Sequence, residues 1–225
     1  MSLAKFLVFD LETGGLDPAT CGITEISGGV FDRDPGGAPG VDMIARCSSI
    51  LRPIPGMVYE ARALEIQGRT LKDLEGGVGI GTAVGRLRAL VEDEIGPPKT
   101  CSPWAHNAPF DTSFLGAACE RWNLTYPFNR TYRCSMALFR ALQDAGHHEC
   151  YRANLDAVCT CYNIEIAAEE RHTALGDLKA TALAIDRMMR CIEVQAPAAR
   201  FVARSPARTA AQRAIDAQSP LGEQR

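Results

Sequence analysis

Phe6-Leu7-Val8-Phe9-Asp10-Leu11-Glu12-Thr13-Gly14-Gly15 is the stretch on which the fold of this chain turns. Its four leading apolar residues read as a buried strand, and alternate residues of a strand share a face, so Asp10 and Glu12 point to the same side. Two carboxylates roughly 4 Å apart repel by about 1 kcal/mol in water and about 4 kcal/mol at an effective dielectric near 20. Keeping such a pair together calls for something cationic between them. An Asp-x-Glu pair at a strand end ordinarily faces solvent, but the Thr-Gly-Gly-Leu turn that follows favours a functional reading here.

Two further acidic clusters follow in order, His106-Asn107-Ala108-Pro109-Phe110-Asp111 and His172-Thr173-Ala174-Leu175-Gly176-Asp177. In helical steps Asp177 shares a face with Ala174, Thr181, Ala184 and Met188, whereas Lys179, Asp186 and Arg190 point the other way. Asp177 therefore falls on the core-facing stripe, where an unpaired carboxylate takes up a proton or binds a cation. His172 is too far round to share that face; it belongs to the turn before the helix and reaches the same cleft from another side. Asp111 taken alone is an acidic residue in the first turn of a helix, after the cap Asn107 and the early Pro109. His106 reads as structural, hydrogen-bonded near a strand end.

Asp10-x-Glu12, then Asp111, then His172-x-x-x-x-Asp177 resembles the three-motif signature of the DEDDh exonucleases. That family includes the proofreading epsilon subunit of bacterial DNA polymerase III and ribonuclease T. The surrounding words match as well: Phe9 through Pro18, His106-Asn107 before Phe110-Asp111, and His172-Thr173-Ala174 before Gly176-Asp177. One such motif is weak evidence, whereas three in order and in context are strong. The resemblance runs from about residue 5 to about residue 190.

The resemblance implies an α/β architecture of the ribonuclease H-like kind, a five-stranded mixed β-sheet flanked by α-helices with the first strand central. It also implies a metal-dependent 3′–5′ exonuclease acting on single-stranded DNA or RNA 3′ ends with Mg²⁺ or Mn²⁺, two ions per active site. Two ions roughly 3.5–4 Å apart activate a water and stabilise the leaving oxygen. Asp10, Glu12 and Asp177 would hold one ion, Asp10 would bridge to the second, and Asp111 would contribute directly or through water. His172, with an unperturbed pKa near 6.5, would be the general base. The backbone of Thr13 and Gly14 would meet the terminal sugar, Leu16 the base, and Phe110 would offer a stacking surface. Core packing is the ordinary alternative for Leu16 and Phe110. Ile66 lies in the family's variable segment over the 3′ end, 63–68, where some members have His in place of Gln67.

Bulk composition is compatible with one such domain. The chain has 225 residues, 46 % of them hydrophobic, enough for a sizeable core. A net charge of −3 is no footprint for binding along a duplex, so the partner is expected to be gripped locally, at a strand end. Nine cysteines, an odd number, and an apolar run after Lys5 too short for a secretory segment point to a cytoplasmic protein without disulfides. Cys159-x-Cys161 lacks zinc-ligand spacing, His147-His148-Glu149-Cys150 is a local cluster without a second ligand pair and reads as a polar loop, and no zinc is assigned. No stretch is apolar enough to span a membrane. The proofreading subunit's longer partner-binding extension is not evident, which favours a free-standing enzyme; a polymerase or a second copy of the chain stays open as a partner. A catalytically silent nucleic-acid-binding or polymerase-associated module is the alternative, against which the acidic set is complete.

Periodicity predicts strands over 5–11, 23–32 and 43–52 joined by two hairpins, then a helix carrying Ile80, Val84, Leu87 and Val91. A buried strand over 101–106, a helix through Phe110, Phe114, Ala117 and Arg121, a short strand over 132–134 and helices over 135–144, 153–162 and 173–193 complete the pattern. The exonuclease domain is expected over 1–194. Residues 195–225, rich in Ala, Arg and Pro and carrying Arg200, Arg204, Arg208 and Arg213, are expected to form a disordered or peripheral tail.

Overall fold

The run that ends in Asp10 and Glu12 becomes the middle strand of a sheet. The computed structural model describes residues 5–34, 37–167 and 173–195. Strands β1 (Lys5–Thr13), β2 (Ile23–Asp32) and β3 (Asp42–Ile50) are followed by the short helices α1 (Ala61–Ile66) and α2 (Leu71–Leu74) and by α3 (Ile80–Glu94). Then come β4 (Trp104–Ala105), α4 (Ala108–Arg121), β5 (Arg133–Cys134), α5 (Ser135–Asp144), α6 (Leu155–Cys161) and α7 (Ala174–Gln195). The strand order is β3-β2-β1-β4-β5. The first three strands pair antiparallel, and β1–β4 and β4–β5 pair parallel. This is the mixed five-stranded sheet expected, with β1 at its centre.

Strand periodicity sorts the residues of β1 between two cores. Leu7, Phe9 and Leu11 pack with α3 and α4 through Val84, Leu87, Val91, Phe114 and Leu115. Phe6 and Val8 pack on the other face against Phe31, Trp104 and, from α7, Leu178, Ala182 and Ile185. Asp10 and Glu12 continue that second face, so the strand aims them at the side of the sheet that α7 covers. A third apolar cluster joins Ala184 and Met188 of α7 to Phe139, Leu142 and Val158.

One expectation changes. The strand predicted over 101–106 is reduced to Trp104 and Ala105. Pro103 has no N–H to give to a ladder, and only its carbonyl pairs, accepting from Arg133 N–H at 2.8 Å. Asp186 and Arg190 lie opposite Asp177 as read, and Asp186 and its partner Arg33 have side chains with 0 % exposure. Arg33 Nε donates to Asp186 Oδ1 at 2.7 Å, Gly40 N–H to Oδ2 at 2.9 Å, and Arg190 Nε to both oxygens at 2.9 and 3.0 Å. Arg190 also donates to the carbonyls of Asp34, Gly37 and Ala38. The β2–β3 connection thus covers the far side of α7, about which helical counting alone said nothing beyond its facing away from Asp177.

The chain divides into two compact units, Met1–Cys191 and Ile192–Arg225. The tail expected over 195–225 lies, apart from Gln195 at the end of α7, outside the described residues, as does His172.

Candidate active site

Strand β1 supplies two of the carboxylates at its C-terminal end, half-buried, and α7 supplies a third from its first turn. Thr173 fixes that turn: its carbonyl accepts the Asp177 N–H at 3.0 Å and its hydroxyl the Gly176 N–H at 3.1 Å. Carboxylate oxygens of Asp10, Glu12 and Asp177 lie within 4.8 Å of one another. Asp111, in the first turn of α4, is 2 % exposed and accepts the Leu11 N–H at 3.1 Å, which docks α4 on β1 between the two strand carboxylates. Asn107 precedes α4 with a left-handed φ of 60°, and its side chain does not cap the helix. The first turn is set by Pro109 and by the bond from Leu11 in place of the expected cap.

The electrostatics follow from crowding. Burial, then Asp111, Glu12, Asp177 and Glu25, hold the Asp10 carboxyl well above the usual carboxylate range. Burial pushes Glu12 up to about 7, with Asp177 and Glu25 adding and Arg69 opposing. Burial also pushes Asp111 up to about 8, against its hydrogen bonds from Leu11 N–H and its own N–H. Each of these groups is more comfortable protonated or beside a cation. An all-oxygen set of this density suits hard divalent ions such as Mg²⁺ or Mn²⁺, and the residues present fit such a group.

Glu25 and Arg69 went unnoticed in the sequence. Glu25 is the cross-strand neighbour of Glu12. It is buried, accepts from the Ser27 and Ser48 hydroxyls at 3.1 and 2.6 Å, and pairs with Arg69. A glutamate flanked by Ile23 and Ile26 within the predicted strand 23–32 was the available signal. His106 is structural as read: one ring nitrogen meets Ser135 Oγ at 2.9 Å and the other donates to Ala153 O at 3.0 Å.

Of the residues named for substrate contact, Thr13 ends β1 and Gly14 follows it. A Cβ on Gly14 would come within 2.7 Å of Val58 O, and the Gly14 N–H and C=O bond Gly22 O and Glu60 N–H, both at 2.7 Å. Glycine is needed there for a close backbone approach. Thr13 is buried, its hydroxyl donating to Gly15 O at 2.7 Å. Gln67 donates to Thr13 O at 2.8 Å and accepts from the Thr24 hydroxyl at 2.7 Å, tying the end of α1 to β1. Leu16 and Ile66 are 82 % and 55 % exposed, while Phe110 is half-buried with its ring 4.9 Å from that of Phe114.

A central strand carrying two carboxylates, joined by two more from flanking helices, defines an α/β domain of the ribonuclease H-like class. A DNA polymerase III subunit epsilon-like protein of Rhodobacter capsulatus is 31 % identical over 205 residues, which cover 84 % of this chain and 24 % of that protein. The chain thus spans about a quarter of that relative's length. Ribonuclease T of Vibrio campbellii is 29 % identical over 185 residues, covering 78 % of this chain and 81 % of the relative. Among solved structures, exonuclease I matches with a TM-score of 0.66 at 17 % identity, covering 84 % of this chain and 41 % of that one. Cell-death related nuclease 4 matches with 0.69 at 15 %, covering 84 % and 64 %. At such identities the solved structures speak for the fold alone. No protein-family model matches the chain. These distant relatives agree with the resemblance to the DEDDh exonucleases that the three acidic motifs carry.

Proposed function

We propose that this chain is a metal-dependent 3′–5′ exonuclease that removes nucleotides from the single-stranded ends of DNA or RNA, its catalytic domain lying in residues 1–194. The observation that carries the reading is the convergence of Asp10, Glu12 and Asp177, with Asp111 behind them, in a half-buried cluster where carboxylates raise one another's proton affinity. Asp10, Glu12 and Asp177 are assigned as ligands of Mg²⁺ or Mn²⁺, and Asp111 as a ligand directly or through water. Bound there, divalent ions supply the positive charge that lets water attack a phosphodiester and its leaving oxygen depart. His172, adjacent in sequence to the Thr173 that starts α7, is assigned as the general base that takes the proton of that water. Asp111 holds β1 and α4 together at the Leu11 amide, keeping the strand carboxylates aligned.

The exposed side chains of Leu16 and Ile66, on segments anchored to the end of β1 through Gly14 and Gln67, are assigned to the base of the terminal nucleotide, and Phe110 to a stacking surface. A single-stranded substrate is supported by exonuclease I of E. coli, whose structures include complexes with oligo-dA and oligo-dT.

Timed digestion of 5′-end-labelled DNA and RNA oligonucleotides with Mg²⁺ tests the reading. A ladder shortened from the 3′ end, abolished by chelator, is the expected result. Internal cuts without 3′ shortening, activity that survives excess chelator, or no cleavage at all would overturn it, the last in favour of a nucleic-acid-binding module.

A further inference from the structure

Outside the carboxylate cluster, the fold assembles a second set of metal-ligand side chains. His148 and Cys150 lie in the segment between α5 and α6, and Cys161 is the last residue of α6; their ligand atoms lie within 4.8 Å of one another. Cys191, on α7, stands close enough to Cys161 and Tyr162 to oppose the ionisation of both. Spacing along the chain gave no zinc signature because the second pair of sulfurs comes from two helices, thirty positions apart in sequence.

His148 is held as a ligand would be. Its ring stacks on Phe139 with centroids 4.0 Å apart. Its Nε2 meets the Phe139 carbonyl at 3.1 Å, and since a carbonyl only accepts, Nε2 carries the proton. The lone pair is therefore on Nδ1, on the side of Cys150, whose N–H reaches it only at 3.4 Å. Metal-bound histidines give their other N–H to a carbonyl or carboxylate in this way, which fixes tautomer and ring orientation.

Cysteines also pack as small hydrophobes, and the neighbouring Cys159 does so, fully buried. Cys150 and Cys161 differ from it in being half-buried with their sulfurs hydrogen-bonded, and the half-buried Cys191 of α7 is their neighbour. Burial, a hydrogen bond with Cys150 and the presence of Cys150 and Cys191 push the Cys161 thiol up to about 12. A divalent cation reverses that balance by binding thiolates and releasing their protons.

We propose that His148 Nδ1 and the thiolates of Cys150, Cys161 and Cys191 hold a structural zinc ion. Thiolate and imidazole donors select zinc over magnesium, and four protein ligands close the coordination shell as structural sites do. With Zn–S near 2.3 Å and Zn–N near 2.0 Å, bound ligand atoms stand about 3.5–3.8 Å apart, so small movements suffice for His148, Cys150 and Cys161, whose ligand atoms already lie within 4.8 Å, and a rotation of Cys191 completes the shell. The ion clips the α5–α6 segment to α6 and α7. That segment carries Ala153, whose carbonyl accepts from His106, one residue before the turn into α4 and Asp111.

Titrating Co²⁺ into the metal-free full chain tests the proposal, because thiolate-to-cobalt charge-transfer absorption reports sulfur ligation and is silent for carboxylates. We expect saturation at about one equivalent per chain and bleaching on addition of Zn²⁺. The absorption should be lost in Cys150→Ser and Cys161→Ser and kept in the control Cys47→Ser. Zinc should also protect about three thiols of the wild-type chain from alkylation, a readout that does not depend on the variants folding. No charge-transfer absorption in the wild type, full absorption in Cys161→Ser, an unchanged thiol count, or a Cys150–Cys161 disulfide that persists in the presence of zinc would each overturn the site.

Discussion

Helix α7 carries Asp177 and Asp186 nine residues apart, on opposite sides, and surrounds them in opposite ways. Asp186 is buried among donors: Arg33, Arg190 and the Gly40 N–H satisfy both its oxygens. Asp177 stands with the carboxylates of Asp10 and Glu12, each of which it pushes towards protonation. Burying a charge is costly in both places. At Asp186 the protein supplies the countercharge from its own side chains and gains a fixed β2–β3 connection. At Asp177 like charges are gathered, an arrangement that a bound cation makes more favourable. The first is a structural device and the second a functional one, and substitutions should separate them.

The largest effect should come from Asp10→Asn, which keeps the shape of the side chain and removes the charge shared by the whole cluster. Exonuclease turnover is expected to fall by more than the roughly 10- to 100-fold that loss of an outer-shell partner costs a metal site, with the fold intact. Measured on labelled oligonucleotides, near-wild-type turnover would erase the functional side of the contrast. His172→Ala should lower turnover by on the order of 10²–10⁴ while leaving metal binding in place.

Next in size is Asp186→Ala, which strands the buried Arg33. Breaking a buried pair from one side costs about 3–5 kcal/mol. In a chain of this size that is a melting-point loss of roughly 6–20 °C. Residual activity per folded molecule should be unaffected. A melt within a degree or two of wild type would mean that solvent reaches Arg33 and that the bracket is not structural.

A smaller effect sharpens the other end. Free metal at 100 times its dissociation constant should stabilise the wild type by about 2.7 kcal/mol and Asp177→Asn far less. Without metal, Asp177→Asn should be as stable as the wild type or more so, since it relieves repulsion. Equal metal-induced shifts in the two melts would remove Asp177 from the ligand set.

The smallest and most diagnostic signal is the pH dependence of the metal-free protein. Glu12 and Asp111, pushed up to about 7 and about 8, hold protons in the folded state that the unfolded chain has already released. The folded state therefore binds more protons, and stability falls as pH rises from about 5 to about 8, by at most about 1.4 kcal/mol per pH unit for each group. Saturating Mg²⁺ should flatten the slope. A metal-free melting point that rises over that window would contradict the crowding of these carboxylates.

By itself the sequence determined the strand at 5–11, the order of the three acidic motifs, the long helices and, through family resemblance, the sheet with β1 at its centre. These are legible because side-chain periodicity is a local property, and because a motif keeps its residues adjacent along the chain. Even the pairing of Asp10 with Glu12 needs only the two-residue repeat of a strand. Tertiary structure alone decided which residues far apart in the chain became partners. Arg33 finds Asp186 across 153 positions, Arg69 finds Glu25 across 44, and Cys161 meets His148 and Cys150 through the packing of α5 and α6. Helical counting put Asp186 opposite Asp177 and stopped there, since which surface covers the far side of a helix depends on the path of a connection between strands. Electrostatics follow the same division: a residue's charge is written in its name, but what that charge costs depends on burial and neighbours that exist only once the chain has folded.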